Sequence, residues 1–151
     1  MKSLPSLTAV SAAVLMIAIV TASERRLTME DLPGPVQKAV REHTKGLEVI
    51  EIEEETEDGK TLYEVEARVD GKTRDIVFDA AGKVIEDEME VALGSIPEPA
   101  RTALSQAAGG GEIQKVEAVT KDGITVYEAK IKKDAKASEV VVAADGTIQE
   151  Q

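Results

Sequence analysis

Carboxylates are the one reactive group this chain holds in quantity. It carries 29 Asp+Glu against 18 Lys+Arg, a formal net charge of -11 over 151 residues. A general acid/base pair needs two carboxylates in a cleft with pKa values pushed apart. No two of the 29 are marked out for that by their spacing. The densest run is Glu51, Glu53, Glu54, Glu55, Glu57 and Asp58. A calcium ion takes about six to eight oxygen ligands, but the run contains no Asp-x-Asp-x-Asp-Gly loop. On a strand, Glu51, Glu53 and Glu55 would simply project together to the wet side. Crowding there should raise some carboxyl pKa values and make that hairpin sensitive to salt.

Other chemistries lack their residues. Cysteine is absent, which removes disulfides, Cys-ligated metals and thiol nucleophiles. His43 is the only histidine, so neither a His-ligated metal nor a Ser-His-Asp relay is supplied. It ends a helical stripe and reads as a structural or surface residue. Ser95, Ser105 and Ser138 sit in no Gly-x-Ser-x-Gly setting. Gly109-Gly110-Gly111 ends a helix instead of opening one, so it is no phosphate loop. The acidic balance excludes nucleic acid, which needs a basic face. No catalytic residue, metal ligand or cofactor is assigned, binding residues stay unknown, and the chain is expected not to be an enzyme.

The N-terminus reads as an address. Lys2 is the only charge before Glu24, and a mostly apolar stretch runs from Leu7 to Val20. Val20-Thr21-Ala22 offers a small-residue cut after Ala22. Residues 1–22 are therefore expected to be a secretory signal peptide, with an uncleaved anchor as the alternative. The stretch is shorter than the roughly 20 apolar residues a membrane span needs. No Cys follows it, so lipid attachment of the lipoprotein kind is excluded. The product is expected to be exported, periplasmic or extracellular, and off the membrane once the signal is cut.

The remainder repeats itself. Sliding the sequence by 64 residues makes about 18 of 56 positions from Leu32 to Asp87 identical. Leu32-Pro33-Gly34-Pro35 falls on Ile96-Pro97-Glu98-Pro99, Asp58-Gly59 on Asp122-Gly123, and Tyr63-Glu64 on Tyr127-Glu128. A repeat of that length is one supersecondary unit used twice. Each unit opens with a short helix whose Pro35 or Pro99 suits the first turn. Val36, Ala39, Val40 and His43 make its apolar stripe, as do Ala100, Ala103, Leu104 and Ala107. Thr28 to Asp31 resembles a capping sequence.

Strands follow. Ile50 and Ile52 alternate with Glu51 and Glu53. Asp58-Gly59 suits a type I′ turn. Tyr63, Val65, Ala67 and Val69 alternate with Glu64, Glu66 and Arg68, which buries one face and wets the other. Turns at Asp70-Gly71 and Asp79 to Gly82 add two more strands. The second unit copies this, except that its link from Asp134 to Ser138 lacks Gly and should be looser. The expected fold is α+β: two tandem repeats, 28–90 and 91–151, each one helix followed by a four-stranded antiparallel meander. Apolar Met89, Val91 and Leu93 in the link favour joining them into one eight-stranded sheet with the helices on one face. Tyr63 and Tyr127 read as core residues with their hydroxyls at the edge of the layer.

The order of these elements resembles the PepSY-like family. This group of exported bacterial domains is related in fold to the β-lactamase inhibitory protein. The residues that carry the resemblance are Leu32-Pro33, Ile50 to Glu55, Asp58-Gly59, Tyr63-Glu64-Val65 and Asp79 to Gly82. Ile96-Pro97, Asp122-Gly123, Tyr127-Glu128-Ala129 and Asp145-Gly146 supply the second copy. The resemblance implies a non-enzymatic module of the bacterial envelope that binds an unidentified protein partner, a peptidase or other envelope hydrolase. The alternative is an acidic envelope structural or stress protein that binds cations such as calcium. Tight protein interfaces favour Trp, Tyr and Arg. This chain departs from that pattern, with no Trp and both Tyr on the buried side.

Overall fold

In a computed structural model, the structure describes residues 25–57 and 59–149. The expected signal at 1–22 and Asp58 of the first hairpin turn lie outside the described residues. The strands are β1 (Arg25–Arg26), β2 (Glu48–Glu57), β3 (Lys60–Val69), β4 (Lys72–Asp79), β5 (Val84–Glu90), β6 (Glu112–Lys121), β7 (Ile124–Lys133), β8 (Lys136–Ala143) and β9 (Ile148–Gln149). Helix α1 spans Gly34–His43 and α2 spans Glu98–Ala108. All nine strands form one antiparallel sheet in sequence order. The eight expected strands are therefore present, joined edge to edge by β5 and β6. Two-residue β1 is an addition at the β2 edge, in register Arg25↔Glu54 and Arg26↔Glu53.

Helices and sheet meet in two separate cores. One gathers Val36 and Val40 of α1 with Ile52, Tyr63, Val65, Ile76 and Phe78. The other gathers Ala100 and Leu104 of α2 with Val116, Ala129, Ile131 and Val142. The register row Val65, Ile76, Asp87, Thr120, Thr125 crosses five strands, so both helices lie on the same side of the sheet. Pro35 and Pro99 stand in the first helical turns. Gly109 closes α2 in the left-handed conformation.

Three expectations are corrected, and the capping sequence is found on a short turn ahead of α1. Thr28 and Asp31 cap a three-residue 3-10 turn, Met29–Asp31, ahead of α1. There the Asp31 carboxylate accepts from the Thr28 N–H at 2.8 Å and from its hydroxyl at 2.7 Å. The α2 stripe ends on buried Ala108, while Ala107 is exposed. Ile50 does not share a face with Ile52. A β-bulge lies between Val49 and Glu51, so Val49 packs on the core and Ile50 is 41% exposed. The link after Asp134 is not loose: Asp134 and Ala135 form a tight two-residue turn between Lys133 and Lys136, both with positive φ.

Candidate functional site

The helices leave the other side of the sheet bare, and acidic side chains fill it. Alternation puts Glu64 and Glu66 opposite Tyr63 and Val65, and register aligns them with their neighbours. One row reads Glu53, Glu64, Val77, Glu86, Lys121 across β2 to β6. The next reads Glu51, Glu66, Asp75, Glu88, Val119. A hollow of about 270 Å³ is lined by residues from all five of those strands, including Glu64, Asp75, Glu86, Glu88 and Lys121. It adjoins a wider apolar surface hollow of about 760 Å³ lined by Leu62, Ala80, Ala81 and Ile85.

Half-burial makes these carboxylates resist ionisation. Loss of water pushes Glu64 up to about 7, helped by the charges of Glu55 and Asp75 and a hydrogen bond with Glu55. Loss of water pushes Glu88 up to about 8, with a hydrogen bond to Glu86 and the charges of Glu86, Glu117 and Asp75 adding to it. Asp75 and Glu128 are raised too, again chiefly by desolvation. Burial also acts to raise Glu86, but the hydrogen bonds from Lys121 and Glu88 and the Lys121 charge outweigh it and hold Glu86 low. Lys121 Nζ lies 2.9 Å from Glu86 Oε2.

The two repeats differ on this face. Glu51, Glu57 and Glu66 of the first become Lys115, Lys121 and Lys130 at the matching places of the second. Those lysines neutralise their surroundings. Lys115 Nζ lies 2.6 Å from Glu117 Oε1, and Lys130 Nζ lies 4.0 Å from Glu117 Oε2 and 3.8 Å from Glu139 Oε1. Around Glu64 in the first half the acids Glu53, Glu55 and Asp75 add to one another. Its outer edge is paired, Arg25 meeting Glu54 at 3.3 Å and Arg26 meeting Glu51 and Glu53; at the β5 side Lys121 pairs with Glu86.

The residues singled out from sequence are scattered. Glu51, Glu53, Glu54 and Glu55 are half-buried instead of fully wet, and Glu57 is exposed. Tyr63 is buried in the first core and Tyr127 packs on the second. His43 is exposed and stacks edge-on against Phe78 at 5.7 Å between ring centroids. Ser95 and Ser105 donate back to the carbonyls of Ala92 and Arg101, and Ser138 is exposed on β8. Glu64, Asp75, Glu86 and Glu88 are not singled out by sequence. Glu64, Asp75 and Glu86 keep an acid at the matching places Glu128, Glu139 and Glu150, so comparison of the copies does not mark them, and pairing between strands is what brings them together with Glu88. Carboxylate oxygens of Asp75, Glu88 and Glu117 lie within 4.8 Å of one another.

Comparison with known proteins places this architecture. Residues 36–88 match the family described as peptidase propeptide and YPEB domain, PepSY. The fold is similar to a DUF2874 family protein of Bacteroides uniformis, with TM-score 0.65 and 15% identity over 78% of this chain and 86% of that one. A protein of Bacteroides eggerthii described as periplasmic gives TM-score 0.64 and 14% identity, covering 79% and 86%. A BLIP-like protein of Bacteroides fragilis gives 0.58 and 16%, covering 77% and 82%. No curated protein matches the chain. Among the described residues no helix is long and apolar enough to cross a membrane. Residues 36–88 thus carry the PepSY match, and the chain as a whole has a PepSY-like, BLIP-like fold.

Proposed function

We propose that the protein is an exported, non-enzymatic module of the bacterial envelope that binds a protein partner through the open sheet face. The observation that carries this is the acidic hollow of the first half, where loss of water and neighbouring acids make Glu64 and Glu88 resist ionisation until a cation approaches. Charge complementarity defines the partner as a basic segment. The apolar hollow beside Leu62 and Ile85 suits the aliphatic part of a Lys or Arg side chain or a neighbouring apolar residue. The match to a family named for peptidase propeptides supports a peptidase or another envelope hydrolase as that partner. Similarity in fold to a periplasmic protein and to a BLIP-like protein supports the compartment and the binding role. Titration of the purified protein with a Lys/Arg-rich peptide, followed by calorimetry and NMR shifts, tests the reading. Saturable binding that weakens with salt, and is lost in the Glu53→Gln/Glu64→Gln variant, is expected. Absence of binding, or binding indifferent to those substitutions, would sink it.

A second reading is an acidic envelope protein that binds a divalent cation such as calcium. The trio Asp75, Glu88 and Glu117 favours it. Lys115 already sits 2.6 Å from Glu117 and competes for the same carboxylate. A calcium titration giving neither heat nor a rise in melting temperature at millimolar metal would remove this reading.

A further inference from the structure

The third strand of each repeat meets a different neighbour. In the first half, Arg74, Asp75 and Ile76 of β4 are covered by Met89, Glu88 and Asp87 of β5, and β5 is covered in turn by β6. The matching residues of β8 are Ser138, Glu139 and Val140. β8 pairs with β7 along its whole length, from Lys133↔Lys136 to Val126↔Ala143. On its other side β9 pairs only with Val141 and Val142. Among the described residues no strand lies beside Lys136 to Val140, and Lys136, Ala137, Ser138 and Glu139 are all exposed. Backbone groups in an antiparallel strand turn alternately to its two neighbours. The Ala143 N–H donates to the Thr147 carbonyl on the β9 side. Glu139 and Ala137, two and three steps of the same alternation away, therefore turn their N–H and C=O groups to the open edge.

That corner is basic in an acidic protein. Lys130, Lys132, Lys133 and Lys136 stand where the first half has Glu66, Arg68, Val69 and Lys72. Lys133 Nζ donates to the Gly109 carbonyl at 2.6 Å, and Lys130 is shared between Glu117 and Glu139. Lys132 and Lys136 form no ion pair among the described residues, although Glu112 stands opposite Lys132. Lys132 is also in register with Ala137 on the open face, so only a methyl group lies between it and the edge.

We propose that the β8 edge takes an extended acidic segment of another protein as an added strand. Ala137 and Glu139 supply the backbone hydrogen bonds, and Lys132 and Lys136 select the charge. In strand addition the main chain gives affinity and alternate side chains give specificity. The segment runs antiparallel to β8, in line with β9. Its residue opposite Ala137 lies on the open face within reach of Lys132, and the next lies opposite Lys136 on the helix side; both suit an acid. Its residue opposite Val140 meets the rim of the second core and suits an aliphatic side chain. The first half holds a precedent at the place matching Ala137, where the Thr73 N–H donates to Glu90 Oε2 at 3.4 Å. A second copy is the poorer occupant, because pairing β8 with β8 would bring two lysine clusters together. This edge lies apart from the acidic face of the first half and does not rely on what that face binds.

Titration of the full chain with a capped peptide Val-Thr-Val-Glu-Glu, followed by NMR shifts and amide exchange, tests the proposal. Saturable shifts centred on Ala137 and Glu139, with their amide exchange slowed about tenfold or more, are expected. Binding should weaken several-fold as ionic strength rises from about 0.01 to 0.1 M, where the screening length falls from about 30 to 10 Å. Lys132→Gln/Lys136→Gln should weaken it about three- to tenfold with the melting temperature kept. Ala137→Pro, which removes an outward N–H and leaves the β7 ladder whole, should abolish it. The charge-reversed peptide Val-Thr-Val-Lys-Lys should leave the β8 amides unmoved. No shift at Ala137 and Glu139 at millimolar peptide, equal binding by Lys132→Gln/Lys136→Gln, or an equal response to the lysine peptide would overturn the proposal. Dimerisation that protects the same amides without peptide would overturn it too, since a second copy would then be the occupant.

Discussion

Gly82 lies directly under the carbonyl of Pro35: a Cβ built on Gly82 would stand 2.6 Å from that oxygen and 2.9 Å from its carbon. The backbone there has φ +80°, a conformation L side chains rarely adopt. The turn between β4 and β5 is held against the first turn of α1 by this approach. Asp79 Oδ1 shapes the same turn by accepting from the Ala81 and Lys83 N–H groups, each at 2.9 Å. Gly146 repeats the relationship with Pro99 at 2.8 Å. Replacing Gly82 by Ala must therefore displace backbone, not a side-chain tip. Gly82→Ala should lose about 2–4 kcal/mol in urea unfolding, combining left-handed strain with the clash. An unchanged midpoint would show that α1 can lift off the turn freely.

The β7–β8 turn has the opposite defect. Ala135 holds φ 63° beside Asp134 at φ 50°, the twist a two-residue hairpin requires. The matching position of the first repeat is Gly71, at φ 79°. Ala135 has no bonding capacity to offset its left-handed conformation. Its ideal replacement is the residue the other copy already uses. Ala135→Gly should raise stability by about 0.5–1 kcal/mol, although Gly frees the unfolded chain somewhat. A loss of stability on this change would mean that the turn is not strained.

These turns show what a sequence can and cannot reveal about this fold. Asp-Gly pairs, the Pro-led helices and the two-residue alternation are local, so the meander and its repetition are legible in the residues. The bulge that turns Ile50 outward depends on pairing with β3, at a distance in sequence. The same holds for the raised carboxyls. Desolvation is the larger cause and crowding of acids adds to it; the dense run on β2 points to the β2–β3 hairpin, where Glu55 bears on Glu64, but not to the groups beyond it. The groups raised are Glu64, Asp75, Glu88 and Glu128, which become neighbours only through register and half-burial. The tight Asp134–Ala135 turn is not legible in its own residues, because the strand pairs on either side of it impose its shape.

Stability should fall as the solution is made alkaline. The folded state holds the protons of Glu64 and Glu88 up to about pH 7 and 8, whereas the unfolded chain releases them near the ordinary value of 4.5. Their contribution is thus complete below about pH 4.5 and is lost as pH rises through 7 and 8. Asp31 and Asp145 act in the other direction. Hydrogen bonds from Thr28 and Thr147 hold their carboxyls below 3.8, so what they contribute is lost in acid. The melting temperature should therefore peak near about pH 4–5, decline through about pH 8 and level off above it. In Glu64→Gln/Glu88→Gln the alkaline decline should largely disappear. A wild-type protein equally stable at pH 6 and pH 9 would contradict the half-buried state of this face.

Lys115 and Glu117 make the most exacting ion pair of the molecule. Glu117 is only 4% exposed, and Lys115 Nζ lies 2.6 Å from its Oε1. Burial works against the Lys115 charge, but the hydrogen bond and charge of Glu117 outweigh it and raise the lysine pKa. Removing one partner of a buried pair leaves the other charged without compensation, a loss of about 3–5 kcal/mol in fully buried cases. Lys130 still reaches Glu117 at 4.0 Å, which softens the effect. Lys115→Met should cost about 2–3 kcal/mol at pH 8. Lys130→Met, at a longer distance and with a half-exposed side chain, should cost under about 1 kcal/mol. Urea unfolding of both variants at pH 8 measures the contrast. Equal losses in the two would show that the buried Lys115–Glu117 contact is worth no more than the longer, half-exposed one from Lys130.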